Sequence, residues 1–427
     1  MLARGHDGGD GRVAMNDDYY DDLETRDAEA RERALMAALC GQVANAKDNG
    51  PAWAEILADV DAAAITSRAA LATLPVTRKS DLTELQAARP PFGGLTTKAA
   101  GELSWVFSSP GPIYEPGNRG GDFWRMGRAL YAAGFRAGDI VHNTFAYHLT
   151  PAGHMMEAGA HACGCTVVPA GVGNTEQQIR AIADIRPDGY VGTPSFLRIL
   201  LDKAAEAGLD ASSMAKAAVG GEALPPSLRA EFTERGVAVL QSYGTADLGL
   251  VAYESPAQEG MIADEGVIIE IVRPGTGEPV AEGEVGEVVV TTLNPDYPLI
   301  RFATGDLSAV LSGASPCGRT NMRIKGWMGR ADQTTKVKGM FVHPAQIAEV
   351  AARHAEIKKA RLVVDTVDRV DVMTLRCEVA GAPGEDLKNA IAATLQSVCK
   401  LKGQVAFVEP GSLANDGKVI EDARSYE

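Results

Sequence analysis

Between residues 103 and 241 the chain alternates short apolar runs with amphipathic stretches of helical period. Asp139-Ile140-Val141-His142-Asn143 reads as a strand end, 153–162 as a helix, 165–169 as a strand and 176–184 as a helix. Gly189-Tyr190-Val191-Gly192 is then a strand, 195–207 a helix and 215–219 a strand. A helix with proline in its first turn follows at 225–235, then a strand at 237–241. Strands alternating with helices predict a mainly parallel sheet with helices on its faces.

The pattern changes after Leu248. Val267-Ile268-Ile269-Glu270-Ile271-Val272 and residues 285–293 are rich in β-formers, and Pro274-Gly275-Thr276-Gly277 supplies a turn between them. These segments predict an antiparallel, barrel-like subregion. A third texture starts at Gly339: helix 344–354, strands 361–365 and 372–379, helix 385–398 and strand 405–408. That order makes a small α+β domain with its own core.

The fold class expected is therefore α/β. Residues 16–331 form a large domain of parallel α/β sheets plus the barrel-like subregion, and 332–427 form a small mobile α+β domain. The boundary falls in Gly329-Arg330-Ala331-Asp332. Residues 1–15, rich in Gly and Asp, read as disordered, with the natural start near Met15.

Composition narrows the function. At 427 residues the chain exceeds one compact core, and 45% hydrophobic with 23% charged residues is a globular balance. The absence of a bilayer-length apolar run, and a start unlike a secretory signal, point to a soluble cytoplasmic protein. A formal charge of -15 argues against nucleic acid and anionic membranes as partners, though a nucleotide needs only a locally positive pocket. Six scattered cysteines make no disulfide framework. Cys163-Gly164-Cys165, near His154 and His161, is spaced too closely for a metal pair and reads better as core packing.

Candidate chemistry sits where strands end, since ligands of open α/β sheets bind at their carboxyl edge. Gly220-Gly221-Glu222-Ala223-Leu224-Pro225 leads from a strand into a helix, and its glycines would let a flat ring approach the backbone; a plain turn reads equally well. Gln241-Ser242-Tyr243-Gly244-Thr245-Ala246-Asp247 offers an aromatic face for a purine, a hydroxyl for a phosphate and a carboxylate for Mg²⁺. Arg301-Phe302-Ala303-Thr304-Gly305-Asp306 places an acid where it would accept both hydroxyls of a ribose, with Arg330 beside it.

In order and spacing these fragments resemble the adenylate-forming superfamily of acyl-CoA synthetases, and within it the phenylacetate-CoA ligase branch. The resemblance runs from about Tyr19 almost to the C-terminus. It includes Tyr19-Tyr20-Asp21-Asp22-Leu23-Glu24-Thr25-Arg26, His142-Asn143-Thr144-Phe145-Ala146-Tyr147, Gly221-Glu222 and Tyr243-Gly244-Thr245-Ala246-Asp247. Thr304-Gly305-Asp306, Ser315-Pro316-Cys317-Gly318-Arg319-Thr320, Gly329-Arg330-Ala331-Asp332, Lys336-Val337-Lys338-Gly339 and Asp416-Gly417-Lys418 complete it.

The resemblance implies ATP-dependent activation of an aromatic acid as its acyl-adenylate and transfer to coenzyme A, with ATP/AMP, Mg²⁺ and CoA as ligands and a homodimer as the possible assembly. Gly221 and Glu222 would line the adenine, Tyr243 would stack on it, Gly244 would belong to the nucleotide site, and Thr245 would contact the α-phosphate. Asp247 stands where the family usually has a metal-binding glutamate. Asp306 and Arg330 would hold the ribose. Asp332 would be the hinge, Lys338 and Gly339 would face CoA, and Lys418 would be the adenylation lysine. The acid would sit between Phe145, Tyr147 and Gly220, although both aromatics fit plain core equally well.

Two departures stand out. Relatives carry a Ser-Ser-Gly-Thr-Thr-Gly-Lys-Pro phosphate loop where this chain reads Ser108-Ser109-Pro110-Gly111-Pro112-Ile113-Tyr114-Glu115-Pro116. Prolines remove N–H donors and Glu115 adds a repelling charge. The β,γ-phosphates are then held elsewhere, or ATP is used slowly, or adenylation is lost and the chain only binds adenylates or thioesters. An acyl-AMP-forming enzyme with an acceptor other than CoA is the middle reading. Cys317 stands alone in its segment, with no histidine between Tyr243 and Arg323, so no structural zinc is expected.

Overall fold

The computed structural model describes residues 18–109, 112–333, 335–337, 340–367, 370–379, 381, 383–414 and 418–424. The expectations for 1–15 and Met15 lie outside the described residues, as do Gly111, Lys338 and Gly339. The chain forms two compact units. One takes residues 1–34, Arg119–Glu265 and Ala314–Asn321; the other takes Leu35–Asn118, Gly266–Gly313 and Met322–Glu427.

In the first unit the expected α/β rhythm appears. Strands Thr166–Pro169, Ile140–Asn143, Gly189–Gly192, Lys216–Val219 and Ala238–Thr245 lie side by side and parallel. Gly249–Tyr253 and Met261–Ala263 extend the sheet antiparallel. Gly189–Gly192 is buried at every position, as a central parallel strand covered on both faces must be. The helix Pro194–Glu206 begins with Thr193 as cap, its hydroxyl accepting from the Phe196 N–H, and Pro194 in the first turn. Its Leu197, Leu200 and Ala204 fall on one face and pack with Tyr190, Val219 and Phe232. Each such leucine contributes about 2 kcal/mol by burial.

Cys163 and Cys165 are buried, and their thiols donate to the carbonyls of Gly127 and Arg136. Burial pushes them up to about 12 and about 11. Both therefore stay neutral as core side chains. Among the described residues no group of three or more His, Cys, Asp or Glu is placed to hold a metal, and no helix is long and apolar enough to cross a membrane.

Asp122 gives this unit a pH dependence. Its Oδ2 accepts from the Gly127 N–H and its Oδ1 is sealed from solvent. Burial dominates and pushes the carboxyl up to about 6. A carboxyl raised in the folded state binds its proton more tightly there than when unfolded. Its contribution is therefore fully present below about pH 4 and lost as pH rises through 6. Asp122→Asn, which keeps an acceptor without the charge, should gain about 1.5 kcal/mol of stability over the parent between pH 5 and pH 8, the part of the shift to about 6 that lies above pH 5. Urea unfolding at both pH values measures this. An unchanged difference between the two proteins would refute it.

In the second unit, Val267–Val272 pairs antiparallel with Gly286–Thr292, in register from Val267↔Thr292 to Val272↔Glu287. Gly286–Thr292 pairs with Phe302–Ser308, with a bulge between Glu287 and Val289. Phe302 and Ala303 take Thr77 and Arg78 as a parallel edge, giving a four-stranded sheet. Glu270, the acid inside an apolar run, is explained by Arg301, which is 2% exposed. Arg301 Nε and Nη2 each reach Glu270 at 3.0 Å, and the guanidinium also donates to the carbonyls of Ala72, Leu74 and Gly277. That fork fixes the turn between the two strands.

Towards the C-terminus of this unit a four-stranded sheet runs in the order Gln404–Val408, Val370–Val379, Ile357–Val367, Ile420–Asp422. Helices Pro344–Ala352 and Glu385–Cys399 pack on a separate core that includes Ile347, Val350, Leu362, Leu375, Ile391 and Leu395.

Candidate functional site

In the first unit the loop after Lys216–Val219 carries Gly220, Gly221 and Glu222. Gly221 has φ +76°, a conformation that disfavours a side chain. A Cβ there would stand 3.8 Å from Phe145 Cε1 and 3.9 Å from Thr193 Cγ2. Phe145 and Gly221 are thus neighbours. The Glu222 carbonyl accepts from Gln241 Nε2 and its carboxylate accepts from the Ser195 N–H, which ties the loop to the next strand and to a helix start.

Tyr147 takes another direction. Asn143 Nδ2 donates to its hydroxyl at 2.8 Å, the hydroxyl donates to Glu157 Oε2 at 2.9 Å, and its ring meets His154 edge-on at 5.2 Å. Burial and Glu157 push the phenol up, so it remains a donor. Tyr147 clamps its loop to the helix Ala152–Ala162, while Phe145 faces the glycine loop.

Residues 241–247 form no free loop. Ala238–Thr245 continues as strand through Tyr243, Gly244 and Thr245, because Gly249–Tyr253 is fully buried and pairs back along it. The irregularity at Tyr243 and Gly244 is a break in register, a β-bulge of the kind that re-aims side chains. Thr245 Oγ1 accepts from the Leu248 N–H at 3.1 Å, closing a tight turn. Asp247, 6% exposed, lies in that turn. A carboxylate and a hydroxyl two residues apart are the hard oxygen donors Mg²⁺ takes, and they suit an ion that keeps most of its shell as water and phosphate.

In the second unit Thr304, Gly305 and Asp306 also lie within a strand, Phe302–Ser308. Asp306 bridges to Arg330, whose Nη1 stands 3.3 Å from Asp306 Oδ1. Gly305 is required here: its φ is +75°, and a Cβ would lie 2.7 Å from Arg330 Nη2. Trp327, absent from the sequence-derived set, donates Nε1–H to Asp306 Oδ1 at 3.1 Å and is 51% exposed. Nothing local in the sequence marks it, because its partner lies 21 residues away.

The segment of Ser108 and Ser109 is a hairpin, Trp105–Ser109 paired with Ile113–Gly117. Glu115 is 0% exposed and accepts from the Ser109 hydroxyl. Gln86 grips the Tyr114 N–H and C=O at 2.8 and 2.7 Å. Asp332 lies in the helical turn Ala331–Gln333. Lys418 is exposed at the entrance to Ile420–Asp422. Arg361 Nε donates to its carbonyl, and the Val419 N–H donates to Gln333 Oε1 at 2.7 Å. The lysine segment and the turn of Asp332 are therefore tied together.

Residues 125–294 match the family described as AMP-binding enzyme. Phenylacetate-coenzyme A ligase of Thermus thermophilus is 31% identical over 85% of this chain and 84% of its own length. The enzyme of that name from Aromatoleum evansii is 32% identical over 74% of this chain and 73% of its own. An open conformation of 2-hydroxyisobutyryl-CoA ligase, in complex with 2-HIB-AMP and CoA, superimposes with a TM-score of 0.82 at 24% identity, covering 94% of this chain and 93% of that one; it shares the fold. The chain belongs to the AMP-binding enzyme family, in its phenylacetate-CoA ligase branch.

Proposed function

We propose that this protein is an AMP-forming acid–thiol ligase that activates an aromatic, phenylacetate-like acid with ATP and passes the acyl group to coenzyme A. The observation that carries this reading is the similarity, over most of both chains, to phenylacetate-coenzyme A ligases. In the first half-reaction a carboxylate oxygen of the acid bonds to the α-phosphorus, the α–β bridging P–O bond breaks and pyrophosphate leaves. In the second the coenzyme A sulfur bonds to the acyl carbon, the acyl–phosphate C–O bond breaks, AMP leaves and the thiol proton passes to solvent.

Each residue has its own part in this chemistry. Gly221 and Glu222 would line the adenine, Tyr243 would stack on it with Gly244 beside it, and Phe145 next to Gly221 would face the aromatic acid. Thr245 would donate to the α-phosphate. Asp247 would hold Mg²⁺, which screens phosphate charge. Asp306, oriented by Trp327 and Arg330, would accept from the ribose hydroxyls. Residues 332–427 would turn about Asp332, so that Lys418 serves adenylation and Lys338 with Gly339 serves the thiol.

Pyrophosphate release measured with phenylacetate, benzoate and related acids tests this. We expect acid-dependent release with aromatic acids preferred. Silence across a broad panel would remove the ligase reading. The buried Glu115, bonded by the Ser109 hydroxyl in the place of a phosphate loop, favours one alternative: an adenylate-binding relative without turnover. Calorimetry showing tight AMP binding alongside that silence would establish it.

A further inference from the structure

ATP brings a polyphosphate that must be met by cations and donors. The hairpin Trp105–Ser109/Ile113–Gly117 is ill suited, because Pro112 and Pro116 lack N–H groups, Ser109 is spent on Glu115 and that carboxylate is buried within it. Beside the hairpin, and within the same unit, lies a cleft of about 610 Å³. Arg78, Lys79, Ser80, Thr83, Gly305 and Arg330 line it, and Ile113 of the hairpin forms part of its wall. Its volume is within the range of about 300–1,000 Å³ usual for small-molecule sites.

We propose that this cleft binds the pyrophosphate end of the nucleotide, taking over the task of the altered phosphate loop. The proposal rests on the ligase reading and supplies what that reading lacks, a holder for the β- and γ-phosphates. The sheet puts the cleft in place: Thr77 and Arg78 pair in parallel with Phe302 and Ala303, two residues before Gly305 and three before Asp306. The cleft is thereby continuous with the Asp306–Arg330 pair proposed for the ribose.

Its electrostatics suit a polyanion. Three cations line it in a chain whose formal charge is -15. The lining carboxylate, Glu287, is buried and neutralised by Arg78 Nη1 at 3.1 Å. A guanidinium has five donors, so an arginine that gives one edge to a carboxylate can offer the other to a phosphate. Two acids oppose a polyanion here: the exposed Asp81, which accepts the Ser80 hydroxyl at 3.0 Å, and Asp306, which holds Arg330 at 3.3 Å.

Calorimetry of the full chain with inorganic pyrophosphate, ATP and AMP tests the proposal. The parent should bind pyrophosphate, and ATP more tightly than AMP. Lys79→Gln should weaken pyrophosphate and ATP about tenfold, as loss of one charged hydrogen bond would, and Lys79→Glu should weaken them further; AMP affinity should hold. Arg78→Gln made together with Glu287→Gln, which orphans no buried carboxylate, should act alike. Pyrophosphate and ATP affinities that ignore Lys79→Glu, or an AMP affinity that falls in step with ATP, would overturn the cleft. The ligase reading is judged separately by turnover. A protein without turnover whose pyrophosphate affinity depends on Lys79 keeps the cleft and loses the ligase. Turnover with an ATP KM indifferent to Lys79→Glu does the reverse.

Discussion

Lys418→Ala is expected to lower acyl-adenylate formation by about two to three orders of magnitude, while thioester formation from a supplied acyl-adenylate is largely spared. The reason is charge. A carboxylate attacking a phosphate brings two anions together, and negative charge concentrates on the transferring phosphoryl group. An ammonium aimed at that centre stabilises the transition state more than the ground state, which is the condition for a rate effect. Lys418 has the exposure and the setting for this. It is exposed, its carbonyl is held by Arg361, and the next residue is held by Gln333 beside Asp332. Because the side chain is exposed, folding should not change, and a thermal melt is the control. Pyrophosphate–ATP exchange and thioester formation from synthetic phenylacetyl-adenylate separate the half-reactions. Equal loss in both, or loss in neither, would remove the lysine from adenylation.

Much of this fold is legible in one sequence where apolar runs are bounded by turn residues. Gly189–Gly192 and Val267–Val272 match their sequence boundaries, and helix Glu385–Cys399 ends one residue past the expected end. Segments whose pattern carries no period escape such reading. Gly249–Tyr253 and Met261–Ala263 are buried throughout, so neither alternates, and both follow a site motif that looks like a polar loop. Their pairing turned Tyr243, Gly244 and Thr245 from loop into strand. The hairpin at Ser109 was hidden by prolines that normally end strands, here carried on the two-stranded ribbon Trp105–Ser109/Ile113–Gly117. Asp306 and Arg330, read from local Gly-Asp and Gly-Arg signals as a candidate pair, are neighbours in the fold. Trp327 was missed because its partner, Asp306, is 21 residues away.

Glu24→Ala should cost the most stability of any single change considered, about 3–5 kcal/mol, the usual price of leaving a buried charge without its partner. Two stretches that carry part of the sequence resemblance, 19–26 and 315–320, hold no evident chemistry, and the structure shows them locked together. Glu24 is 1% exposed. Its Oε2 lies 2.9 Å from Arg319 Nε, and its Oε1 accepts from Arg128 at 3.3 Å and from the Tyr253 hydroxyl at 2.9 Å. Around it the Tyr19 hydroxyl donates to the Cys317 carbonyl, Thr320 donates to the Arg26 carbonyl, and Glu265 takes Arg26 and Arg31. Arg128 would keep Asp21, at 2.8 Å, when Glu24 is lost. Arg319 would keep the Asp18 carbonyl, the Cys317 side chain and the faces of Tyr19 and Tyr253, but lose the carboxylate of Glu24 in a desolvated setting. Glu24→Gln retains shape and one acceptor and should fall between the parent and alanine. Urea unfolding of the three proteins measures the series. If alanine and glutamine cost the same small amount, the Arg128–Glu24–Arg319 cluster is packing alone, and the ion pairs around Glu24 contribute nothing to folding.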